Sequence, residues 1–476
     1  MFTRSGQKRL RNEKRKAALI KCDQHRVNSP VGANEVGWRL SLPLLVNSCL
    51  LRYHIPLALP IFDLLSEESA AMSLNGKRLI SVLLVFALLI PMLVSAQEAP
   101  MVEPVEMGAE PVCDAPASLS GDVNVGALFT LSGGASVYGV AQRDAVQLAV
   151  DQINASGYLG DATLNVIFED SASENEQAIA AMTKLVDEDQ VVAVIGPTLS
   201  REAFSADPVA QEAGTPVLGV SNTAIGITDM GDFVFRNSLP EAAVIPGVVA
   251  QASELLGFER VGLLYANDDD FTVSGFEVMR AAFEENGVEI IGEETYATGD
   301  VDFNAQLTNL INGDPDVLAV SALAAEATQI IIQARALGYD GFILGGNGFN
   351  SPAVLQQTGE DSEGLIVGGA WNIGNPNPTG ESVAFAAAFE EAYDYQPDQF
   401  AAQAYTGAWL IATAIRCADS TDRAEVRDAL AGIVDFPTPL GIFSFDENRD
   451  PIHDPIAQIV RDGAFVVLTE ETGMVE

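Results

Sequence analysis

The chain is 476 residues long and carries 25 Lys+Arg against 66 Asp+Glu, a formal net charge of −41 at pH 7. A field of that sign repels nucleic acid and anionic membrane surfaces, which are bound through basic patches. The acidic residues are scattered and 48% of the chain is hydrophobic, which excludes a disordered polyacid.

From the start of the chain, residues 1–71 contain a basic, loosely patterned stretch (GQKRLRNEKRKAALIK), and Met72 then opens MSLNGKRLISVLLVFALLIPMLVSAQEAP. Lys77 and Arg78 precede an apolar run from Leu79 to Val94, closed by the small residues Ser95 and Ala96; this is the anatomy of a secretory signal peptide over 72–96. The run is shorter than the ~20 residues of a spanning helix. No cysteine follows it directly, so no lipid-attachment box is expected and the product is expected to be exported and soluble. A basic segment upstream would block the reading of such a signal. Residues 1–71 are therefore expected to be a spurious or non-functional extension; the alternative is a genuine extension that contains Cys22 and Cys49. Past residue 96 there remain 380 residues with 12 Lys+Arg and 60 Asp+Glu, net −48. That length is more than one core usually holds, so two domains are expected.

Residues 97–121 (QEAPMVEPVEMGAEPVCDAPASLSG) are rich in Pro, Glu and Ala and read as a flexible leader. From Val123 onward, β-rich runs alternate with stretches of helical period: VNVGALF then 140–155, TLNVIFE then 174–187, VVAVIG then 201–213, and PVLGVS. A second series repeats the unit: RVGLLYA with a helix near 274–286, VEIIGEETY with 303–312, DVLAVSA with 325–337, and GFILGG with a short helix after Ser351. GLIVGGAW follows, then helices near 382–394, 399–418 and 422–432, then closing strands GIFSFD and IAQIVRDGAFVVL. The reading is α/β: two similar halves, each a parallel sheet flanked by helices, whose end segments are shared between them.

Ligands of open α/β sheets sit beyond the carboxyl ends of the strands. The loops there read TLSGGASVYG, GPTLSRE, SNTAIG, ANDDDFTVSG, SALAAEA and GGNGFNSP. They are small, hydroxyl-rich and sparsely charged, which suits a neutral or zwitterionic small molecule. Other chemistry finds no support. No G-x-G-x-x-G or G-x-x-x-x-G-K-[ST] occurs to hold a nucleotide. His453, the single histidine past residue 96, lies in a late turn without a G-x-S-x-G serine and reads as a surface residue. DENRDP has Pro where a calcium loop needs Gly, and Asp268, Asp269 and Asp270 read as a solvated run. No catalytic residue, metal site or cofactor is assigned.

The segments GALFTLSGGASVYGVAQRDAVQLAVDQINASG, VVAVIGPTLSREAFSADPVAQEAGTPVLGVSNTA and QARALGYDGFILGGNGFNSP resemble the branched-chain amino-acid binding proteins of bacterial ABC importers, over about residues 122–465. The resemblance implies a type I periplasmic binding protein: two Rossmann-like lobes, three crossovers and a cleft between the lobes. It places hinges near Pro240, Ala370 and Leu440. Lobe 1 would then span 122–239 and 371–439, and lobe 2 would span 240–370 and 440–476. It also implies the binding residues. Ser200, Ser221 and Thr223 would hold an α-carboxylate and ammonium, with Ser200 also able to cap its helix. Tyr138 would flank the ligand and Phe271 would face it from lobe 2. Leu323 stands where the family has a tyrosine, and Asn347 stands where it has the glutamate that pairs with the ammonium. Trp371 is a further candidate wall of the cleft, or a hinge-packing residue. The function implied is capture of a small amino acid-like ligand and its delivery to a membrane permease, by a monomer without cofactor, metal, catalysis or nucleic acid. A ligand-sensing receptor of the same fold for an amide, urea-like or aromatic acid is the alternative. Helices run antiparallel to the strands they cover, so the end of helix 399–418 should lie near the start of the strand at Val123. Cys113, tethered ten residues before that strand, is thereby in reach of Cys417, and in an oxidising compartment the two either pair or remain free thiols.

Overall fold

The computed structural model describes residues 102–109, 113 and 117–474. The expectations for residues 1–71 and for the signal peptide over 72–96 lie outside the described residues. No helix among the described residues is long and apolar enough to cross a membrane.

The first half runs β1 (Ser120–Phe129), α1 (Ser136–Ser156), β2 (Asp161–Asp170), α2 (Asn175–Thr183), β3 (Val194–Ile195), α3 (Ser200–Glu212), β4 (Val217–Gly219) and β5 (Val234–Arg236). The second runs α4 (Glu241–Leu256), β6 (Arg260–Ala266), α5 (Asp270–Glu285), β7 (Glu289–Tyr296), α6 (Asn304–Ile311), β8 (Val317–Ser321), α7 (Ala324–Ala336), β9 (Phe342–Gly345), α8 (Pro352–Thr358) and β10 (Leu365–Gly369). The chain continues through α9 (Gly380–Tyr393), α10 (Gln399–Ala418), α11 (Arg423–Ala431), β11 (Phe436–Thr438), β12 (Gly441–Phe445) and β13 (Pro451–Ile452), and closes with β14 (Ile456–Arg461), β15 (Ala464–Val467) and α12 (Glu470–Gly473).

Strands β2-β1-β3-β4-β5 form a parallel sheet, and β15-β14-β10-β9-β8-β6-β7 form a second, parallel except for β14 and β15 at one edge. Central strands such as VLAVS of β8 are buried on both faces, as covered parallel sheets require. Helix α10 returns to the first lobe, where it is buried all round and Ala402, Tyr405, Trp409 and Ile411 join the core of β1 and α1. The chain crosses between lobes at residues 237–240, 370–379 and 453–455.

Three sequence-based expectations change here. Leu440 is not the third crossing. Phe436, Phe443 and Phe445 pack into the core of lobe 1, Phe445 meets Phe235 edge-on at 5.4 Å, and Arg236 pairs with Asp450 at 2.5 Å, so residues 440–452 stay with lobe 1. The leader over 97–121 is not loose throughout. Val105 N donates to Gly380 O at 3.0 Å, Met107 is buried in the core of lobe 1, and β1 already begins at Ser120. His453 is not a surface residue: both ring nitrogens are buried without a hydrogen-bond partner among the described residues, and burial pulls the imidazole down to about 4.

Candidate ligand-binding site

The cleft is built from the strand-to-helix loops of both lobes. In the first of them, Asp170 accepts hydrogen bonds from Leu131 N at 2.9 Å and Ala172 N at 2.8 Å, which ties the loop to the end of β2. Gly133 has φ +84°, and a Cβ there would meet Ala172 O at 2.4 Å; at Gly139 a Cβ would meet Thr130 O at 2.0 Å. These two glycines let the loop fold onto β1 and fix the direction of Tyr138 between them. The buried Tyr138 hydroxyl donates to Gly348 O at 2.6 Å and accepts from Ala324 N at 2.7 Å, both in lobe 2. Burial raises its pKa above the usual tyrosine range.

Ser200 is the first residue of α3 rather than its cap. Leu199 takes the cap position, and the Glu202 carboxylate accepts from Leu199 N at 3.1 Å. The Ser200 hydroxyl oxygen is thereby left to accept from Thr223 N at 3.1 Å and Ala224 N at 3.3 Å. The Ser221 hydroxyl is committed to lobe 1, donating to Thr198 O at 2.6 Å and accepting from Gln142 Nε2 at 2.7 Å. What Ser221 offers the cleft is its carbonyl, which accepts from Asn347 Nδ2 at 3.3 Å. The Thr223 hydroxyl is buried with no partner among the described residues.

From lobe 2, Phe271 lies in the first turn of α5, Leu323 precedes α7, and Asn347 opens a short turn after β9. Asn347 N donates to Glu241 Oε1 at 2.9 Å, and its side-chain oxygen accepts from Gln399 Nε2. Tyr138, Ser200, Ser221, Phe271, Leu323 and Asn347 surround one cavity of about 20 Å³, together with Asp269 and Phe400. Thr223 stands behind Ser200, outside that wall. Trp371 also stands elsewhere: its indole N–H donates to Ser382 Oγ at 2.8 Å, its ring meets Phe385 at 5.9 Å, and it faces a separate cavity of about 750 Å³ beside the crossings.

Several residues of the cleft escape a reading of the loops alone. Asp269 is not part of a solvated run. It caps α5 by accepting from Thr272 N at 3.1 Å and pairs across the cleft with Arg201 at 3.0 Å. Glu241 is 2% exposed, has the Asn347 N–H as its donor, and is pushed up to about 7 by burial. Gln399 and Phe400 enter from the start of α10, and the Tyr138 and Phe400 rings lie 4.5 Å apart. A charged residue just after a proline at a crossing was the available signal for Glu241; nothing in its spacing marked it.

The lobes are held together by the Tyr138 bridge, the Arg201–Asp269 pair and the bond from Ile225 N to Ser274 Oγ at 3.1 Å. A cavity of about 20 Å³ admits roughly one water. Cys113 and Cys417 are joined as a disulfide, with Cα atoms 5.5 Å apart. Cys417 lies at the far end of α10 from Gln399, about 27 Å along the helix at 1.5 Å per residue.

A family model described as periplasmic binding protein matches residues 122–464. The chain is 26% identical over 321 residues to the leucine-, isoleucine-, valine-, threonine- and alanine-binding protein of Pseudomonas aeruginosa, covering 67% of this chain and 84% of that protein. Among solved structures it is similar to the leucine binding protein LivK of Thermotoga maritima, with a TM-score of 0.70, 26% identity and coverage of 73% of this chain and 98% of that one. It is also similar to the branched-chain amino acid transporter substrate binding protein LivJ of Streptococcus pneumoniae in complex with isoleucine, with a TM-score of 0.68, 30% identity and coverage of 72% and 97%. Two α/β lobes joined by three crossings, with a loop-built cleft between them, agree with these matches: the chain belongs to the periplasmic binding protein family with the type I fold, and is a solute-binding protein of the ABC-transporter kind, not an enzyme.

Proposed function

We propose that the protein is exported as a monomer, closes on a small amino acid-like ligand, and delivers it to a membrane permease. The observation that carries this reading is the cavity between the lobes that Ser200, Ser221 and Asn347 line, with the buried, unpartnered Thr223 hydroxyl in the layer just behind Ser200 and the buried Glu241 carboxylate bonded to Asn347 N. A buried hydroxyl without a partner costs about 1–3 kcal/mol, a cost removed when the lobes part and rearrange about a ligand carboxylate that brings Thr223 to the cleft. Carbonyl and carboxylate acceptors on the other side suit an ammonium. The relatives that bind leucine and isoleucine set the scale, and about nine heavy atoms at a ceiling of ~1.5 kcal/mol each reach roughly −13 kcal/mol, enough for tight binding.

A sensor for an amide is the second reading. It is favoured by the amide of Asn347, engaged by Gln399 on one side and Ser221 O on the other, where the family has a carboxylate. A thermal-shift and calorimetric panel of aliphatic amino acids, their amides, urea and benzoate separates the two. With the ligand identified, Ser200→Ala and Thr223→Ala should each weaken binding by ~1 kcal/mol or more; unchanged affinity in both variants would show that these hydroxyls do not face the ligand.

A further inference from the structure

The cavity of about 750 Å³ lies beside the cleft, beyond the Tyr138–Phe400 ring pair, and is lined by both lobes: Val137 and Val140 of α1 on one side, Leu355 of α8 and Phe465 of β15 on the other. Its volume is that of a small-molecule site, whereas the cleft in the same closed arrangement holds about 20 Å³. Ile373 and Tyr395 at its margin are 44% and 38% exposed, a solvent-facing apolar lip.

Several polar groups of its wall are already engaged. Asn372 Nδ2 donates to Gln458, Gln458 Nε2 donates to Asn350 Oδ1 at 2.9 Å, and Asn350 Nδ2 donates to Gly368 O at 2.7 Å. The Trp371 N–H goes to Ser382, and the Tyr395 hydroxyl donates to Asp144 Oδ2 at 3.0 Å. Asp398 is different. It is 9% exposed and caps α10 by accepting from Ala401 N at 2.9 Å, and no cationic side chain pairs with it among the described residues. Among the described residues, no Lys, Arg or His and no second carboxylate lines the cavity.

We propose that this cavity is a second ligand site that takes an organic cation with an apolar or aromatic body, held by the Asp398 carboxylate and by the rings of Trp371, Tyr395 and Phe465. The full charge of the carboxylate exceeds the roughly half-charge of the helix end it caps, so the site presents net negative potential. Aromatic faces attract cations through their quadrupole. Burial pushes the Asp398 carboxyl up to about 7, and a bound cation offsets the desolvation that causes this. A cation in the cavity contacts α1 and α10 of one lobe and α8 and β15 of the other, so it binds the closed arrangement.

Calorimetry on the secreted full chain with benzyltrimethylammonium, against 3-phenyl-1-propanol as an uncharged molecule of similar size, tests the site. Asn caps a helix as well as Asp does, so Asp398→Asn keeps α10 capped while removing the charge; it should weaken the cation at least about tenfold and leave the alcohol unaffected. Val140→Trp, which fills the cavity from α1, should abolish cation binding. Glu390→Gln, on the exposed face of α9, should leave cation binding unchanged and so exclude attraction by the acidic surface as a whole. The proposal is overturned if the cation fails to bind at millimolar concentration, if it binds no better than the alcohol, or if its affinity survives both Asp398→Asn and Val140→Trp with the melting temperature intact.

Discussion

Replacing Glu241 by Gln should make the protein more stable at pH 8 and leave it nearly unchanged at pH 4.5. Glu241 is buried at the start of α4 with the Asn347 N–H as its donor, and burial lifts its carboxyl from the ordinary 4.5 to about 7. Below pH 4.5 the group is protonated in both the folded and the unfolded chain and contributes no difference. Between pH 4.5 and 7 the unfolded chain releases the proton while the folded chain keeps it, so the native state binds more protons and loses stability as pH rises. The span of roughly 2.5 pK units, at 1.36 kcal/mol each, amounts to about 3 kcal/mol, lost by pH 7 and constant above it. Gln cannot ionise, and its side-chain oxygen can still accept from Asn347 N, so the variant escapes that loss. Denaturant unfolding of both proteins at pH 4.5, 6 and 8, followed by circular dichroism, gives the difference directly. A gap between variant and parent that is the same at all three pH values would refute the claim that Glu241 is an isolated buried acid.

Tyr138→Phe removes both hydrogen bonds that the ring makes to lobe 2, worth ~1 kcal/mol each. It should shift the closed-to-open equilibrium about 30-fold toward open, read as a larger radius of gyration in small-angle scattering; an unchanged radius would count against the bridge. Asn347→Glu should tighten a ligand with a free ammonium about tenfold through a charge-assisted bond and weaken benzoate, a contrast that titration calorimetry measures; equal effects on both would place residue 347 away from the ligand. Thiol titration of the secreted, denatured and unreduced protein should find neither Cys113 nor Cys417 free, and Cys417→Ser should lower the melting temperature without altering ligand affinity. Two titratable thiols would exclude the bridge.

The repeat of strand and helix was legible because each unit carries its own period, and the halves show it in VNVGALF and RVGLLYA alike. Helix α4 was not, because Pro246 and Gly247 interrupt EAAVIPGVVAQASELL. Tertiary burial of Val244, Ile245, Val248 and Val249 outweighs that local penalty. Strand β5 is three residues long and exists by pairing with β4. The resemblance pointed to Ser200, Ser221 and Thr223, yet sequence could not say which of their atoms reach the cavity, and Thr223 lies outside its wall. Ser221 turned out to spend its hydroxyl inside lobe 1 because Gln142 reaches it from α1. Glu241, Gln399 and Phe400 come from the crossings and from the start of a distant helix, so no local pattern draws them together. Asp269 was hidden by its neighbours, since a run of three acids looks alike whether it meets water or the Arg201 guanidinium of the other lobe.

The seven-stranded sheet takes β14 and β15 from the last part of the chain, after the return to lobe 1. Until residues 456–467 have been made, β10 presents Ile366–Gly369 as a bare apolar edge, the kind of edge to which other chains add. A polypeptide emerging from its first residue onward therefore cannot finish its second lobe early. A chain that ends before residue 456 therefore keeps that edge open to association, and the last residues close the second lobe against it.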